Sequence, residues 1–455
     1  METTRGSDTG PLRPVVVASS SNLHLWPLSR IQLPIQFQKA GEEPSAYQQG
    51  LMACQAVSPE TAPLVCASTS TLALAVDQFD ELNLPFEPQF LVEPAERGGL
   101  NSVLAACLLA TRKEPVSTLA IFDASRPARD RDALQRLFQQ ILPNPAYLND
   151  IIVCAELAET TQGGALARGE SLGAAHLYRP LPGELSRLAG AACSASLVVC
   201  RADRFVTYAQ QCHSSALRTV CLALDNAHQL QNGLWLAPNY WSLLESSNLS
   251  DYVRTHHDDF LIRPVDIGSA LTPVFGQEAN AVMEDSLGCK VLGDGHLVAV
   301  AGCSELNIVS TPDVTLIADR ASTASLHNLV EALREQQRPE VFNGLGRPQR
   351  WGQDILLDKR AGYSVHRLEI WRGQQLSLQP QHDQSVSWTV LSGEGEVMFG
   401  KRNCFVDAGA RLLPARDEVT TLVNTGRNPL HVLEVRQQDQ RSGEGDLMDA
   451  LSHVA

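Results

Sequence analysis

No apolar run in the 455 residues is long enough to span a bilayer; the longest, such as Pro14–Ala18 and Ser196–Cys200, are only strand-length. The eleven cysteines form no Cys-x-x-Cys pair, and Cys66, Cys107, Cys154 and Cys200 sit in apolar stretches. They read as reduced, buried small hydrophobes, because a disulfide framework belongs to small secreted chains. Lysine is scarce, five residues beside 31 arginines, a skew that reflects genomic base composition more simply than function. With a net charge of −15, the chain lacks the clustered cations that a sequence-independent nucleic-acid binder needs. Residues Met1 to Gly10 carry acids and no apolar core, so 1–12 reads as a disordered leader and not a signal peptide. A cytoplasmic protein, with no membrane and no nucleic-acid partner, is the expectation.

What remains is a globular composition, 44% hydrophobic and 19% charged, in a chain too long for one ordinary core. From Val15 to about Pro264, short apolar runs alternate with helix-period segments, the pattern of βα units around a mostly parallel sheet. The predicted strands are Pro14–Ala18, Leu64–Ala67, Gln89–Val92, Thr118–Phe122, Asp150–Cys154, Ser196–Cys200 and Phe260–Val265. Leu100–Lys113, Arg129–Leu142 and Ala202–His213 carry apolar residues at three- and four-residue spacing and predict helices lying on that sheet. The class is α/β, doubly wound, over residues 13–278.

After Ala279 short β-prone pieces (Lys290–Leu292, His296–Ala301, Asn307–Ser310, Thr315–Ala318) alternate with Gly and Asp turns, predicting a β-rich subdomain of β-helix-like stacking over 279–337 that ends in a helix, Ala321–Gln337. Arg338–Arg350, rich in Pro, Gly and polar residues, reads as a linker, with a domain boundary near residue 345. Beyond it, Tyr363–Trp371, Ser387–Leu391, Glu394–Phe399, Arg411–Pro414, Val419–Asn424 and Leu430–Val435 are strands with no helix between them. That predicts an all-β sandwich or jelly roll over 351–438, followed by a tail over 439–455.

The run Leu25-Trp26-Pro27-Leu28-Ser29-Arg30, with Pro34-Ile35-Gln36-Phe37 after it, resembles the opening of the bifunctional mannose-1-phosphate guanylyltransferases that also carry a type II mannose-6-phosphate isomerase domain. Glu93-Pro94 with Arg97, Asp266-Ile267-Gly268-Ser269, Thr311-Pro312-Asp313, Ala318-Asp319-Arg320, Gly362-Tyr363, Leu376–Gln379, Trp388 and Ser392-Gly393 follow in that family's order. The resemblance implies a nucleotidyltransferase (Rossmann-like) domain, a β-rich connecting subdomain and a C-terminal all-β cupin.

It also implies a first site that this sequence does not keep. The family's glycine-rich loop lets backbone amides approach nucleotide phosphates. Here the loop reads Ala18-Ser19-Ser20-Ser21-Asn22-Leu23-His24, with Ser19, Ser20 and Asn22 at the glycine positions. His24 stands for the loop arginine and Ile35 for the lysine. Ser20, Ser21, Asn22, Arg30 and Arg179 are the candidate nucleotide contacts that remain. Of the two carboxylates that hold catalytic magnesium in the family, Asp266 matches one, while Ser125 replaces the other. Magnesium then depends on Asp123, which on an extended segment shares a side with Ser125; the competing reading is that Asp123 caps the following turn. Among the sugar contacts, Tyr178-Arg179-Pro180, Ser194-Ala195-Ser196 and His256 stand where the family has other residues.

In the cupin, the resemblance places the metal ligands at Gln381, Asp383, Val386 and Val419 or Thr420, so no metal is expected; His382 reads as a surface residue. His256-His257-Asp258-Asp259 resembles a metal cluster, but a polar turn explains it as well, and Gly98-Gly99 and Gly163-Gly164 form no nucleotide fingerprint. No catalytic residue is secure: His24, Ile35 and Ser125 are degenerate positions. The reading is a catalytically impaired paralogue that binds a sugar nucleotide or GTP, or associates with itself or with an active guanylyltransferase. The alternative is an active nucleotidyltransferase working with Asp266 and Asp123.

Overall fold

The computed structural model describes residues 10–39, 43–126, 128–144, 146–156, 170–172, 177–179, 194–230, 233–247, 249, 252, 256, 259–264, 280–293, 297–319, 323–344, 346–349, 351–379, 384–399, 402–414 and 419–438. The chain divides into two compact units, 1–311 with 315–337, and 312–314 with 338–455. No helix among the described residues is long and apolar enough to cross a membrane.

Among the described residues, the main sheet of the first unit has eleven strands: β1 Leu12–Val17, β2 Leu64–Ser68, β3 Gln89–Glu93, β4 Thr118–Asp123, β5 Ile152–Glu156, β6 Glu170–Leu172, β7 Leu177–Arg179, β8 Ser194–Arg201, β9 His228–Leu230, β10 Gly233–Trp235 and β11 Leu261–Pro264. Their order is β6-β7-β11-β5-β8-β4-β1-β2-β3-β10-β9. Strand β1 pairs in parallel with β2 on one side and β4 on the other, so the chain reverses its direction of winding there. Into this parallel core β8 inserts antiparallel, between β4 and β5.

Alternation along the strands divides the core in two. Val15 and Val17 of β1 face helix α3 (Gly99–Lys113) in one cluster, whereas Val16 and Ala18 join a second with residues of α1 (Ala46–Val57), α2 (Leu72–Asp80) and α4 (Arg131–Ile141). Capping signals fix the helix starts: Ser45 and Gln48 form a capping box on α1, and Asp130 accepts from the Ala133 N–H on α4. The predicted strands and helices are all present within a few residues. Helices α1, α2 and Ser214–Asp225, together with the three-residue strands β6, β7, β9 and β10, went unpredicted.

Parallel pairing of Ala281–Glu284 with Val298–Ala301, and of Lys290–Gly293 with Leu306–Ser310, gives the β-helix-like stack that the turn spacing suggested, and the helix Thr323–Glu335 follows it. The linker expectation needs correction. The units divide at Gln337/Arg338, where the expected linker begins, but that segment carries a short helix, Pro339–Phe342, and a strand, Gly346–Gln349. That strand forms because its backbone pairs with Gly352–Arg360, a partner that local composition does not reveal.

The second unit is a two-sheet jelly roll. Its six-stranded sheet runs Gly346–Gln349, Gly352–Arg360, Tyr363–Ile370, Leu430–Gln438, Gln384–Ser392, Arg411–Leu412; the four-stranded sheet runs Gln375–Leu378, Thr420–Asn424, Gly395–Phe399, Arg402–Val406. Leu368, Ile370, Val386, Trp388, Val390, Val397, Val406, Leu422, Leu430 and Val432 pack between the sheets. One buried acid enters this core. Glu434, 1% exposed, accepts from Trp388 Nε1 at 2.8 Å and from Arg436 Nε at 2.7 Å.

Breaking a buried pair strands the remaining charge, whereas replacing both partners by apolar groups is often neutral. Because Arg436 is partly exposed, Arg436→Met should destabilise the second unit by about 2 kcal/mol. Calorimetric unfolding checks this: the single substitution lowers the transition, and adding Glu434→Gln, which removes the charge but keeps an acceptor for Trp388 Nε1, recovers most of the loss.

Candidate functional site

In open α/β sheets, ligands bind beyond the carboxyl ends of the strands where the winding reverses. Here that place is the end of β1, flanked by Asp123 on β4 and, across β2, by Glu93 on β3. The turn after β1 bends back without glycine. Asn22 takes the left-handed conformation, φ 50° and ψ 41°, which asparagine tolerates better than most residues. Its amide donates to Gln36 Oε1 at 2.9 Å, and Gln36 Nε2 in turn donates to the carbonyls of Ser20 at 2.5 Å and Ala18 at 3.2 Å. Ser29 donates to the Ser21 carbonyl at 2.5 Å and accepts from the Ile35 N–H at 3.0 Å. Ser19, Ser21, Asn22, Ser29 and Gln36 are all buried. The loop is therefore closed by its own polar groups.

Two hydroxyls of that loop meet a distant acid. Ser20 Oγ donates to Glu96 Oε1 at 3.0 Å, and Ser21 Oγ donates to Glu96 Oε2. Deeper, the Ser19 and Ser102 hydroxyls bond to each other at 3.1 Å, and Glu93 is fully buried with neither carboxylate oxygen in a hydrogen bond. Burial pushes the Glu93 carboxyl up to about 8; the charge of Glu96 adds to the rise, and the nearby Ser102 and Ser19 hydroxyls offset part of it.

The expected site residues fall as follows. Asp123 Oδ1 accepts from the Ser125 N–H at 2.8 Å and the Ser125 hydroxyl at 2.7 Å, so it caps the turn. Asp266 lies outside the described residues, as do the side chains of His24, Tyr178 and Arg179. Ile35 is buried and supplies no charge. Arg30, 3% exposed, lies over the Trp26 ring at 5.7 Å and donates to the Pro27 carbonyl at 2.6 Å and to Thr311 Oγ1 at 3.4 Å. These contacts brace the Trp26–Arg30 turn.

His256 is exposed and stacks on Tyr252, ring centroids 4.2 Å apart, while the Asp259 N–H donates to the His256 carbonyl, a turn; His257 and Asp258 are not described. Gly98 has a packing role: at φ 80° its missing Cβ would lie 2.2 Å from the Ser247 carbonyl oxygen. Gly163-Gly164 is outside the described residues.

In the jelly roll, Val386 belongs to the apolar core, Thr420 is fully buried with its hydroxyl unbonded, and Val419 is exposed. Gln381, His382 and Asp383 are not described. Among the described residues no group of three or more His, Cys, Asp and Glu side chains is placed to hold a metal.

The family model for the mannose-6-phosphate isomerase C-terminal domain matches residues 334–449, which contain this jelly roll. Across both units the chain is 24% identical to the alginate biosynthesis protein AlgA of Pseudomonas syringae pv. tomato, covering 95% of each chain. The chain is thus similar, over nearly its whole length, to mannose-1-phosphate guanylyltransferases and alginate biosynthesis proteins, and its second unit matches the mannose-6-phosphate isomerase C-terminal domain. It is likewise 25% identical to a mannose-1-phosphate guanylyltransferase of Escherichia coli K12, over 93% of this chain and 95% of that protein. A solved structure described as a mannose-1-phosphate geranyltransferase from Thermus thermophilus is 19% identical and covers 71% of this chain and 99% of its own, with a TM-score of 0.49.

Gln36, Ser29, Ser102 and Glu96 complete the site, and none was among the candidates read from the sequence. Gln36 and Ser29 lie inside the quoted motif, so a signal existed. Glu96 and Ser102 had none, because their loop partners are more than seventy positions away.

The Glu93 carboxyl yields a pH prediction. Its folded pKa, about 8, exceeds the ordinary value of 4.5, so between those values the folded state holds a proton that the unfolded chain has lost. Its contribution to stability is thus fully present below pH 4.5 and declines as pH rises toward 8, by roughly 1.4 kcal/mol per unit at most. Glu93→Gln should match the parent at the acid end and melt progressively higher than it as pH rises; parallel melting profiles would refute this.

Proposed function

We propose that this chain is a catalytically impaired member of its family, serving GDP-mannose and exopolysaccharide metabolism by association with itself or with an active guanylyltransferase. The observation that carries the reading is the loop after β1, whose side chains and carbonyls are bonded to one another and to Glu96. Phosphoryl-transfer catalysis is mainly positioning plus stabilisation of charge on the transferring group. The loop offers side-chain volume where amides would approach phosphate, and a carboxylate where a cation would serve. A relative that covers nearly the same length is named for alginate biosynthesis, which supports placing the chain near polysaccharide precursors. Binding of a sugar nucleotide or GTP at this loop has weaker support, since Ser20 and Ser21 already serve Glu96.

A second reading keeps the chemistry. Asp123 ends β4 directly opposite Val17, the position for a metal-binding carboxylate at the reversal point. Magnesium is usually held by one or two carboxylates together with substrate phosphates. The described donors fit it poorly, because Asp123 Oδ1 already takes two hydrogen bonds from Ser125.

Pyrophosphate release from GTP and mannose-1-phosphate separates the two readings. The expected result is little or no turnover with added magnesium, whereas a rate near ~10 per second, typical of enzymes, sinks the impaired reading. Association is tested by native mass and co-purification. A strictly monomeric protein that fails to capture the active relative at micromolar concentration removes the partner role.

A further inference from the structure

The acid at the loop has a consequence beyond lost catalysis. Glu96 lies between Glu93, which ends β3, and α3, and it approaches the loop so that Ser20 Oγ meets one carboxylate oxygen at 3.0 Å and Ser21 Oγ meets the other. Charge-assisted hydrogen bonds of this kind are the strong ones, and a phosphate group would take them from the same donors. A hydroxyl proton cannot serve both acceptors at once. Ser20 Oγ also lies 3.3 Å from Asn22 Oδ1, so its orientation is set by acceptors belonging to the protein itself. Any phosphate brought to the loop meets the Glu96 charge at close range, where like charges repel through little solvent.

We infer that Glu96 is a built-in anion that occupies the loop's hydroxyl donors and excludes phosphate-bearing ligands, nucleoside polyphosphates and inorganic phosphates alike. This is a specificity device, and it rests on the loop geometry independently of whether the chain associates with a relative. Glycine loss alone would leave a loop that binds phosphate poorly; Glu96 turns it into one that selects against phosphate. The distinction is measurable, because the second case can be relieved by a single substitution.

Isothermal titration of the full chain with GTP and with inorganic triphosphate reads the effect. Three variants are compared with the parent: Glu96→Ala, which removes both charge and acceptor, Glu96→Gln, which removes the charge at constant shape, and Glu87→Gln. Glu87 is an exposed acid before the opposite end of β3 and controls for net charge. The parent and Glu87→Gln should show no saturable heat at millimolar ligand, while Glu96→Ala gains at least about tenfold in affinity for both ligands and Glu96→Gln gains less. The gain should shrink as salt is raised. If Glu96→Ala melts too low to titrate, Glu96→Gln alone decides. The inference is overturned if neither Glu96 variant binds better than the parent, if Glu87→Gln gains as much, or if the parent already binds as tightly as the variants. Failure of the proposed function would appear instead in the turnover and co-purification measurements.

Discussion

The amide of Asn22 donating to Gln36 holds the turn after β1, and everything the first unit can do at the sheet's reversal point follows from that turn. A left-handed residue is needed for the chain to leave β1 and enter the Leu23–Leu25 turn. Glycine meets such a need without cost; asparagine meets it when its side chain has a buried partner. Gln36 supplies that partner and, through the carbonyls of Ala18 and Ser20, fixes the residues on either side of Ser19. Polar groups this deeply buried must be bonded, and the loop's side chains and the carbonyls of Ala18, Ser20 and Ser21 find their partners within the protein.

From that closure the chemistry of the site can be followed outward. Ser20 and Ser21 turn to Glu96, Ser125 occupies Asp123, and Arg30 braces its own turn over Trp26. Of the acids that remain, Glu93 is kept protonated chiefly by its burial, with a smaller push from the neighbouring Glu96. The framework is meanwhile intact. Both faces of the sheet are packed, α1 and α4 are capped, and the jelly roll has its own core. Across the described strands and helices of the main sheet, local pattern and architecture agree in most places, as expected of a chain whose fold is used.

The sequence disclosed what depends on near neighbours. The apolar run Pro14–Ala18 disclosed β1, and the two-residue spacing of Asp123 and Ser125 disclosed the capped turn, because donor and acceptor belong to one short segment. It concealed what depends on distant pairing. The strand Gly346–Gln349 looked like a linker, since only its alignment with Gly352–Arg360 makes it a strand. Strands β9 and β10 are three residues each, too short for any period to show. Glu96 reads as one more surface acid until the fold brings Ser20 and Ser21 to it. The Glu434 network in the jelly roll was hidden likewise: Trp388 is forty-six positions from Glu434, and only their pairing across strands joins them.

The central claim is that the side chains of the loop after β1 are bonded within the protein, with Glu96 on its hydroxyls, so that it does not take up a nucleotide. Amide hydrogen exchange of peptides covering residues 18–24, compared with and without excess GTP and magnesium, tests it most directly. The account predicts the same exchange in both conditions in the parent protein, with any nucleotide-dependent slowing appearing only when Glu96 is replaced. Slowed exchange of the parent loop on adding GTP would contradict it.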